Sequence, residues 1–345
     1  MEKIISFGIP CYNSEAYMRK CIDNLVLAGD DVEVIIVNDG SKDNTSKIAH
    51  EYEEQYPNIV KVIDQENKGH GGAVMAALHM ATGLYYKVID SDDWALTEDV
   101  VSYCELIKKH RSENVIVDLY ISNYRYEHVS DGKSFSMHYR KYVPADKVIG
   151  WNDIKAFGTE TYLLMHSLLY RREALLSSGL DLPEHTYYVD NLYAYVPYPF
   201  MKTLYYHDID FYHYLTGRFD QSVSPNVMFG KYKQQLVVAR RMVNAYTLAE
   251  LKKLPKPLYR YMWHDFIIVM IVSFLFTVGG KDNRKERKAD WYAFLKEFKE
   301  HDPKMYRKTR YRSKMTLSTV LHPWNFASWV SKKLYYYFQS KKKLG

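Results

Sequence analysis

The sequence predicts an α/β fold, a mostly parallel, doubly wound sheet flanked by helices, followed by a helical C-terminal region. Within the first 90 residues, four short apolar runs alternate with three stretches of helical periodicity, the order of a chain of βαβ units. Each run ends in a polar or glycine-rich stretch, at residues 10–13, 38–41, 67–72 and 90–93. In a parallel sheet these ends share one edge, so the four stretches form one ligand site rather than four turns. Beyond Pro225 the pattern changes to long helices, which sets two domains, 1–225 and 226–345.

Residues 4–9 are apolar and stop at Pro10, as a buried strand entering a loop does. Tyr17, Met18, Cys21, Ile22, Leu25 and Val26 then recur at helical spacing, with Asn13 or Ser14 as the cap. VEVIIV (32–37) is the second strand, and a weaker helix over 45–56 is stopped by Pro57. Residues 59–63 make a third strand; the glycine-rich stretch 67–72 opens an alanine-rich helix over 73–82, and 85–89 is the fourth strand. Thr97 caps a helix over 98–110. The tyrosine-rich run 118–127 is a strand turning at Ser130-Asp131-Gly132. Residues 134–165 read as irregular, 168–170 as a strand, 172–178 as a short helix and 204–214 as a further strand. Long helices follow over 230–250 and 261–278. The second carries FIIVMIVSFLFTV with Asp265 at its head, and reads as a buried bundle helix in preference to a membrane-embedded one.

Charge is strongly asymmetric: residues 1–100 carry 8 Lys/Arg against 18 Asp/Glu, whereas 201–345 carry 28 against 11. From Lys281 onward, basic residues are interleaved with Trp, Tyr and Phe, a pattern that fits an interfacial segment on an anionic leaflet. The same pattern also fits single-stranded nucleic acid or a protein partner, and the membrane reading is preferred. Three scattered cysteines, Cys11, Cys21 and Cys104, have no metal-ligand spacing and point to a reducing compartment. The N-terminus enters a strand directly, without the apolar core of a signal peptide, so a cytoplasmic location is expected.

The most chemically loaded stretch is YYKVIDSDDW, residues 85–94. An apolar strand ends in Asp90, Asp92 and Asp93, whose mutual repulsion calls for a cation. Mg²⁺ or Mn²⁺ carrying a diphosphate suits such hard oxygen ligands; a helix cap or an exposed turn is the plainer alternative.

Taken in order, IPCYNSE, VNDGSKDNT, NKGHGG, DSDDW, YYVDN and YHYLTGRFDQSVS resemble the family 2 glycosyltransferases of GT-A fold, a Rossmann-like sheet, over residues 4–224. The resemblance implies that Pro10, Tyr12 and Glu15 line the base and ribose of a nucleotide sugar and that Asp39 hydrogen-bonds the base. Lys68 and Gly69 would lie near the diphosphate, together with Asp90, Ser91 and Asp93. It makes Asp92 the metal ligand and His213 a late second one, with Arg218 a diphosphate contact. It makes Asp190 the general base of an inverting transfer, although Val189 stands where many relatives carry Glu. A helix N-cap is the plainer reading of Asp190, and His185 is the reserve base. Tyr187 and Tyr188 are candidates to stack on acceptor sugars.

The expected activity is a metal-dependent transfer of one sugar from a UDP-sugar to a glycan acceptor, lipid-linked and of the bacterial surface-polysaccharide type. The enzyme would sit peripherally at the inner face of the cell membrane, with no nucleic-acid partner and with a homo-oligomer left open. The alternatives are a non-catalytic nucleotide-sugar-binding assembly protein and a sugar nucleotidyltransferase. The latter's Gly-rich basic signature near the first strand is absent from IPCYNSE.

Overall fold

The protein is represented by a computed structural model that describes residues 2–129, 132–158, 161–217, 225–280, 282–312 and 333. It divides into two compact units, Met1–His185 with Val196–Leu215, and Thr186–Tyr195 with Thr216–Gly345. This differs from a single cut at 225/226: the segment carrying Asp190 belongs by its contacts to the helical unit.

The first unit is built as β1 (Ile5–Cys11), α1 (Met18–Val26), β2 (Val32–Asp39), α2 (Thr45–Gln55), β3 (Val60–Gln65), α3 (Gly69–Met80), β4 (Tyr85–Val88) and α4 (Thr97–Ser112). There follow β5 (Leu119–His128), β6 (Ser134–Met137), β7 (Val148–Ile149), a 3₁₀ turn Met165–Ser167, β8 (Leu168–Arg171), α5 (Arg172–Ser177) and β9 (Leu204–Thr216). The sheet order is β3-β2-β1-β4-β8-β5-β9-β7, with β6 on β5. Pairing among β3, β2, β1 and β4 is parallel, and the pairs of β8 with β4 and β5 are antiparallel.

Every residue of β1 and β2 is buried, as a strand covered on both faces must be. That includes Glu33, whose carboxylate accepts from Ser6 Oγ (2.6 Å), Lys61 Nζ (2.6 Å), Thr82 N (2.8 Å) and Thr82 Oγ1 (2.9 Å). Four donors from β1, β3 and the start of the β4 approach satisfy it, which is the condition for keeping a carboxylate inside. Asp118 does the same for the antiparallel half, accepting from Arg171 Nε (2.9 Å), Lys202 N (2.8 Å) and Thr203 N (3.1 Å). Residues 134–165, irregular by sequence, contribute β6, β7 and two short 3₁₀ turns.

The second unit holds α6 (Asp190–Tyr195), α7 (Pro225–Gly230), α8 (Tyr232–Ala245), α9 (Leu248–Leu251), α10 (Lys256–Gly279), α11 (Arg284–His301) and α12 (Pro303–Arg312). By length and composition α10 could cross a membrane, with mean hydropathy 1.8, but 72% of that window is buried, and α10 packs on α6, α8 and α11. Arg287 is buried at its C-terminal end, donating to Phe276 O (3.0 Å), Phe229 O (2.9 Å) and Asp282 O (3.0 Å). A buried arginine thus takes up a carbonyl of the last turn of α10, which its own helix leaves unpaired. The basic aromatic tail beyond 312 lies, apart from Lys333, outside the described residues.

Candidate active site

Four parallel strands deliver their carboxyl ends to one edge, and the loops there are tied to one another. Asn13 takes φ 52° and its Oδ1 accepts from Lys42 N (2.8 Å); Ser14 N donates to Thr45 Oγ1 (2.7 Å), and Ser14 Oγ meets Ser91 Oγ at 2.8 Å. Pro10 is buried in β1, while Tyr12 just beyond it is 55% exposed, a flat ring open to solvent. Glu15, expected at the ribose, instead accepts from Asn44 N (2.9 Å) and Nδ2 (2.8 Å), holding the entry to α2.

Asp39 is 2% exposed, and its Oδ1 accepts from Gln65 Nε2 (2.7 Å) and Lys68 N (2.8 Å). Among the described residues Oδ2 makes no hydrogen bond, so one oxygen braces the loop and the other remains. Gly40 sits at φ 72°, where a Cβ would meet Asn67 N at 2.8 Å, so only glycine fits this turn. Gly69, at φ 74°, opens α3, which starts four residues earlier than its alanine run suggests. The sequence reading has the glycines admit a ligand. In the structure the approaching backbone is the chain's own: a Cβ on Gly69 would meet His185 N at 2.9 Å, and one on Gly71 would meet Pro183 O at 2.7 Å. His185 N donates to Lys68 O (2.7 Å), and Lys68 Nζ pairs with Glu184 at 3.3 Å.

The acidic stretch is differentiated by its partners. Asp90 Oδ1 meets His70 Nε2 at 2.8 Å; burial opposes its ionisation, but the His70 ring, by charge and hydrogen bond, carries the carboxyl below its usual range. Asp93 is 1% exposed, accepting from Tyr212 Oη (2.6 Å) and Leu215 N (2.8 Å). Burial, then the charges of Asp92 and Asp90, push it well above the ordinary carboxylate range. It is fastened to β9 rather than presented to a sugar. Asp92 is half-buried between them.

Trp94 and His213 exchange backbone hydrogen bonds (3.2 and 2.8 Å) and stack at 5.2 Å between ring centroids, with Lys20 Nζ 3.0 Å from the indole centroid on its own account. His213 Nδ1 meets Glu127 Oε1 at 2.8 Å, and Nε2 is buried without a partner among the described residues. A metal-bound imidazole has this arrangement, its second nitrogen held by a carboxylate. The donor set of Asp92 oxygens and a held imidazole therefore fits Mn²⁺, and the carboxylates also fit Mg²⁺.

In the helical unit, Asp190 is the first residue of α6, and Asn191 Nδ2 donates to Tyr188 O (3.0 Å) and lies 3.3 Å from Asp190 Oδ1. Tyr188, at φ 65°, packs on Phe276 of α10 at 5.5 Å, and Tyr187 N donates to Gln234 Oε1 of α8 (3.1 Å). Asp265 of α10 is 3% exposed, and burial followed by the charge of Asp190 pushes its carboxyl up to about 7. Arg218 lies outside the described residues.

A sequence profile for glycosyl transferase family 2 matches residues 6–173. Through those residues the chain belongs to glycosyl transferase family 2. The family 2 chain is 31% identical over 228 residues to EpsH of Bacillus subtilis strain 168, named as a glycosyltransferase, a match covering 61% of this chain and 60% of that one. A poly(ribitol-phosphate) beta-glucosyltransferase of Bacillus spizizenii is 34% identical over 113 residues, 32% of this chain and 18% of the relative. The chain thus spans well under two thirds of these relatives. S. aureus TarS, residues 1–349 in complex with UDP-GlcNAc, superposes with a TM-score of 0.66 at 19% identity, over 95% of this chain and 89% of that one. That likeness shows the fold, which is GT-A.

Within this family 2 site, sequence reasoning misses His70, Glu127, Tyr212 and His166. The NKGHGG stretch does display His70, but nothing local says that it faces Asp90. Glu127 and Tyr212 sit in tyrosine-rich strands, where only the antiparallel half of the sheet brings them to the acidic stretch.

Proposed function

We propose that this chain is a metal-dependent, inverting glycosyltransferase that moves a single sugar from a UDP-sugar to a glycan acceptor. The observation that carries the reading is the carboxylate stretch at residues 90–93 on the edge where β1, β2 and β4 end, with the held imidazole of His213 across from Trp94. A UDP-sugar is favoured over other donors because Asp39 keeps an acceptor oxygen for the imide N–H of uracil and Tyr12 offers an open ring for stacking. The UDP-GlcNAc held by TarS supports the same donor class.

In this reading Asp92 and His213 hold Mn²⁺ or Mg²⁺, which neutralises the charge developing on the leaving diphosphate. Ser91, pinned by Ser14, fixes the stretch against the nucleotide loop. Lys68, exposed on the opening of α3, is placed for the diphosphate or ribose. Asp190 takes the proton of the acceptor hydroxyl as it attacks the anomeric carbon from the face opposite the diphosphate. The acceptor is lipid-linked and the protein peripheral at the inner membrane face, a reading supported by the 28 basic against 11 acidic residues of 201–345 and by the polysaccharide-related names of its relatives.

The test is a donor screen with Mn²⁺ across nucleotide sugars, reading nucleoside diphosphate release. UDP should appear from UDP-sugars, and Asp92→Ala should abolish its release. Turnover of only GDP- or dTDP-sugars overturns the donor assignment, and turnover of none overturns the enzyme reading.

A further inference from the structure

One buried group stands outside the reaction just described. His166, in the 3₁₀ turn before β8, is 6% exposed, and both its ring nitrogens are buried without a hydrogen-bond partner among the described residues. Leaving an imidazole N–H and a ring lone pair unmet inside a protein costs about 1–3 kcal/mol, so this is a place where something else is bound. The ring is not free to turn away: Tyr212 and Tyr214 press on it edge-on at 4.5 Å, and Tyr124 at 5.8 Å.

What it faces is acidic. A ring nitrogen of His166 and one carboxylate oxygen each of Asp90 and Asp93 lie within 4.8 Å of one another. The sheet produces this meeting: β4 and β8 are antiparallel neighbours, so the residues after one strand and before the other fall at the same end. Lone pairs remain on the carboxylates. Asp90 commits Oδ1 to His70, and each oxygen of Asp93 accepts a single hydrogen bond although it can accept two. Lys87 is near, but its Nζ is spent on the carbonyls of His166 (2.6 Å) and Leu168 (3.2 Å).

We propose that Asp90, Asp93 and His166 form a second divalent-cation site, buried in the sheet unit and separate from the ion assigned to Asp92 and His213. One imidazole and two carboxylates suit Mn²⁺, Fe²⁺, Co²⁺ or Zn²⁺ better than Mg²⁺ or Ca²⁺, which prefer all-oxygen shells. The ion would be a fixture of the fold. It offsets the repulsion among three carboxylates in four positions and locks β4, β8 and β9 at the donor edge, whether or not nucleotide is present. The inference goes beyond the glycosyl-transfer reading and does not need it.

The two sites differ in what they require. An ion at Asp92 and His213 is completed by the diphosphate, so nucleotide-free binding reports the buried site. The EDTA-stripped full chain is titrated with Mn²⁺ alone, and the bound ion is examined by pulsed EPR for nitrogen coupling from a coordinated imidazole. One ion per chain should bind without nucleotide and show that coupling. His166→Gln should remove the coupling and weaken binding at least about tenfold, while His213→Gln and Asp92→Ala change neither. No binding without UDP overturns the site, as does coupling that survives His166→Gln and disappears in His213→Gln. If His166→Gln does not fold, the double variant His70→Gln/His213→Gln decides: retained coupling supports His166, and lost coupling overturns it. A chain that turns over no sugar donor yet gives this signal loses the transferase reading and keeps the site.

Discussion

Two carboxylate pairs, one in each unit, meet opposite surroundings. Asp90 and Asp93 in the sheet unit are met by His70, Tyr212 Oη and the Leu215 amide, so their charge is answered by donors on every side. Asp190 and Asp265 in the helical unit meet tyrosine and apolar helix faces; Tyr195, whose phenol burial raises, lies in the field of Asp265. The first pair is built to hold a cation and the second to hold a proton. The contrast teaches that the same residue type is assigned to metal or to proton chemistry by the donors around it and not by its own acidity.

The contrast breaks most visibly at Asp190. Asp190→Asn should lower transfer about 10²- to 10⁴-fold with UDP-sugar affinity unchanged, read from single-turnover rates and donor titration. Loss of donor affinity instead would move Asp190 from the proton side of the comparison to the phosphate side.

Asp265 sharpens it next. Its carboxyl is pushed up to about 7 in the folded chain, so it is neutral at pH 5 and charges as pH rises through 7, whereas unfolded it ionises near 4. Folding therefore loses stability across that window, by up to about 4 kcal/mol at pH 8.5 relative to pH 4. Asp265→Asn should unfold at the same urea concentration as the parent at pH 5 and at a higher one at pH 8.5. Equal midpoints at both values would show that the helical pair carries no proton.

The smallest effect belongs to Tyr212→Phe, which strips Asp93 of a donor and Asp90 N of an acceptor. It should cost about 1–3 kcal/mol of stability, visible as a lower melting temperature that added Mn²⁺ partly restores. An unchanged melting temperature would mean that Asp93 does not depend on its donors.

The half of the fold legible in the sequence is the parallel half. Runs such as VEVIIV are continuous because both faces of the strand are covered, and the helices between them are long enough to show their period. The antiparallel half was hidden: β7 is two residues long and β6 four, and such strands exist only through partners far along the chain. The site divides the same way. Asp90, Asp92 and Asp93 announce themselves by crowding, whereas His166 follows a leucine-rich run and has no local mark. Its meaning comes only from β8 lying beside β4. NKGHGG was legible as a special backbone and misread in purpose, because a positive φ looks the same whether the approaching group is a ligand or residues 182–185 of the same chain.

The grouping of Thr186–Tyr195 with the helices has a practical consequence for dissecting this chain. A truncation after residue 225 would keep every strand and every donor loop, and the isolated piece should still bind nucleotide. It would strip α6 of α8 and α10, leaving Tyr188 without Phe276, Tyr187 N without Gln234, and Asp190 on a six-residue helix with nothing to stand on. A helix that short does not persist unsupported in water. Substrate recognition would then outlive turnover, and the C-terminal helices would have to be counted as part of the catalytic apparatus rather than as an attachment to it.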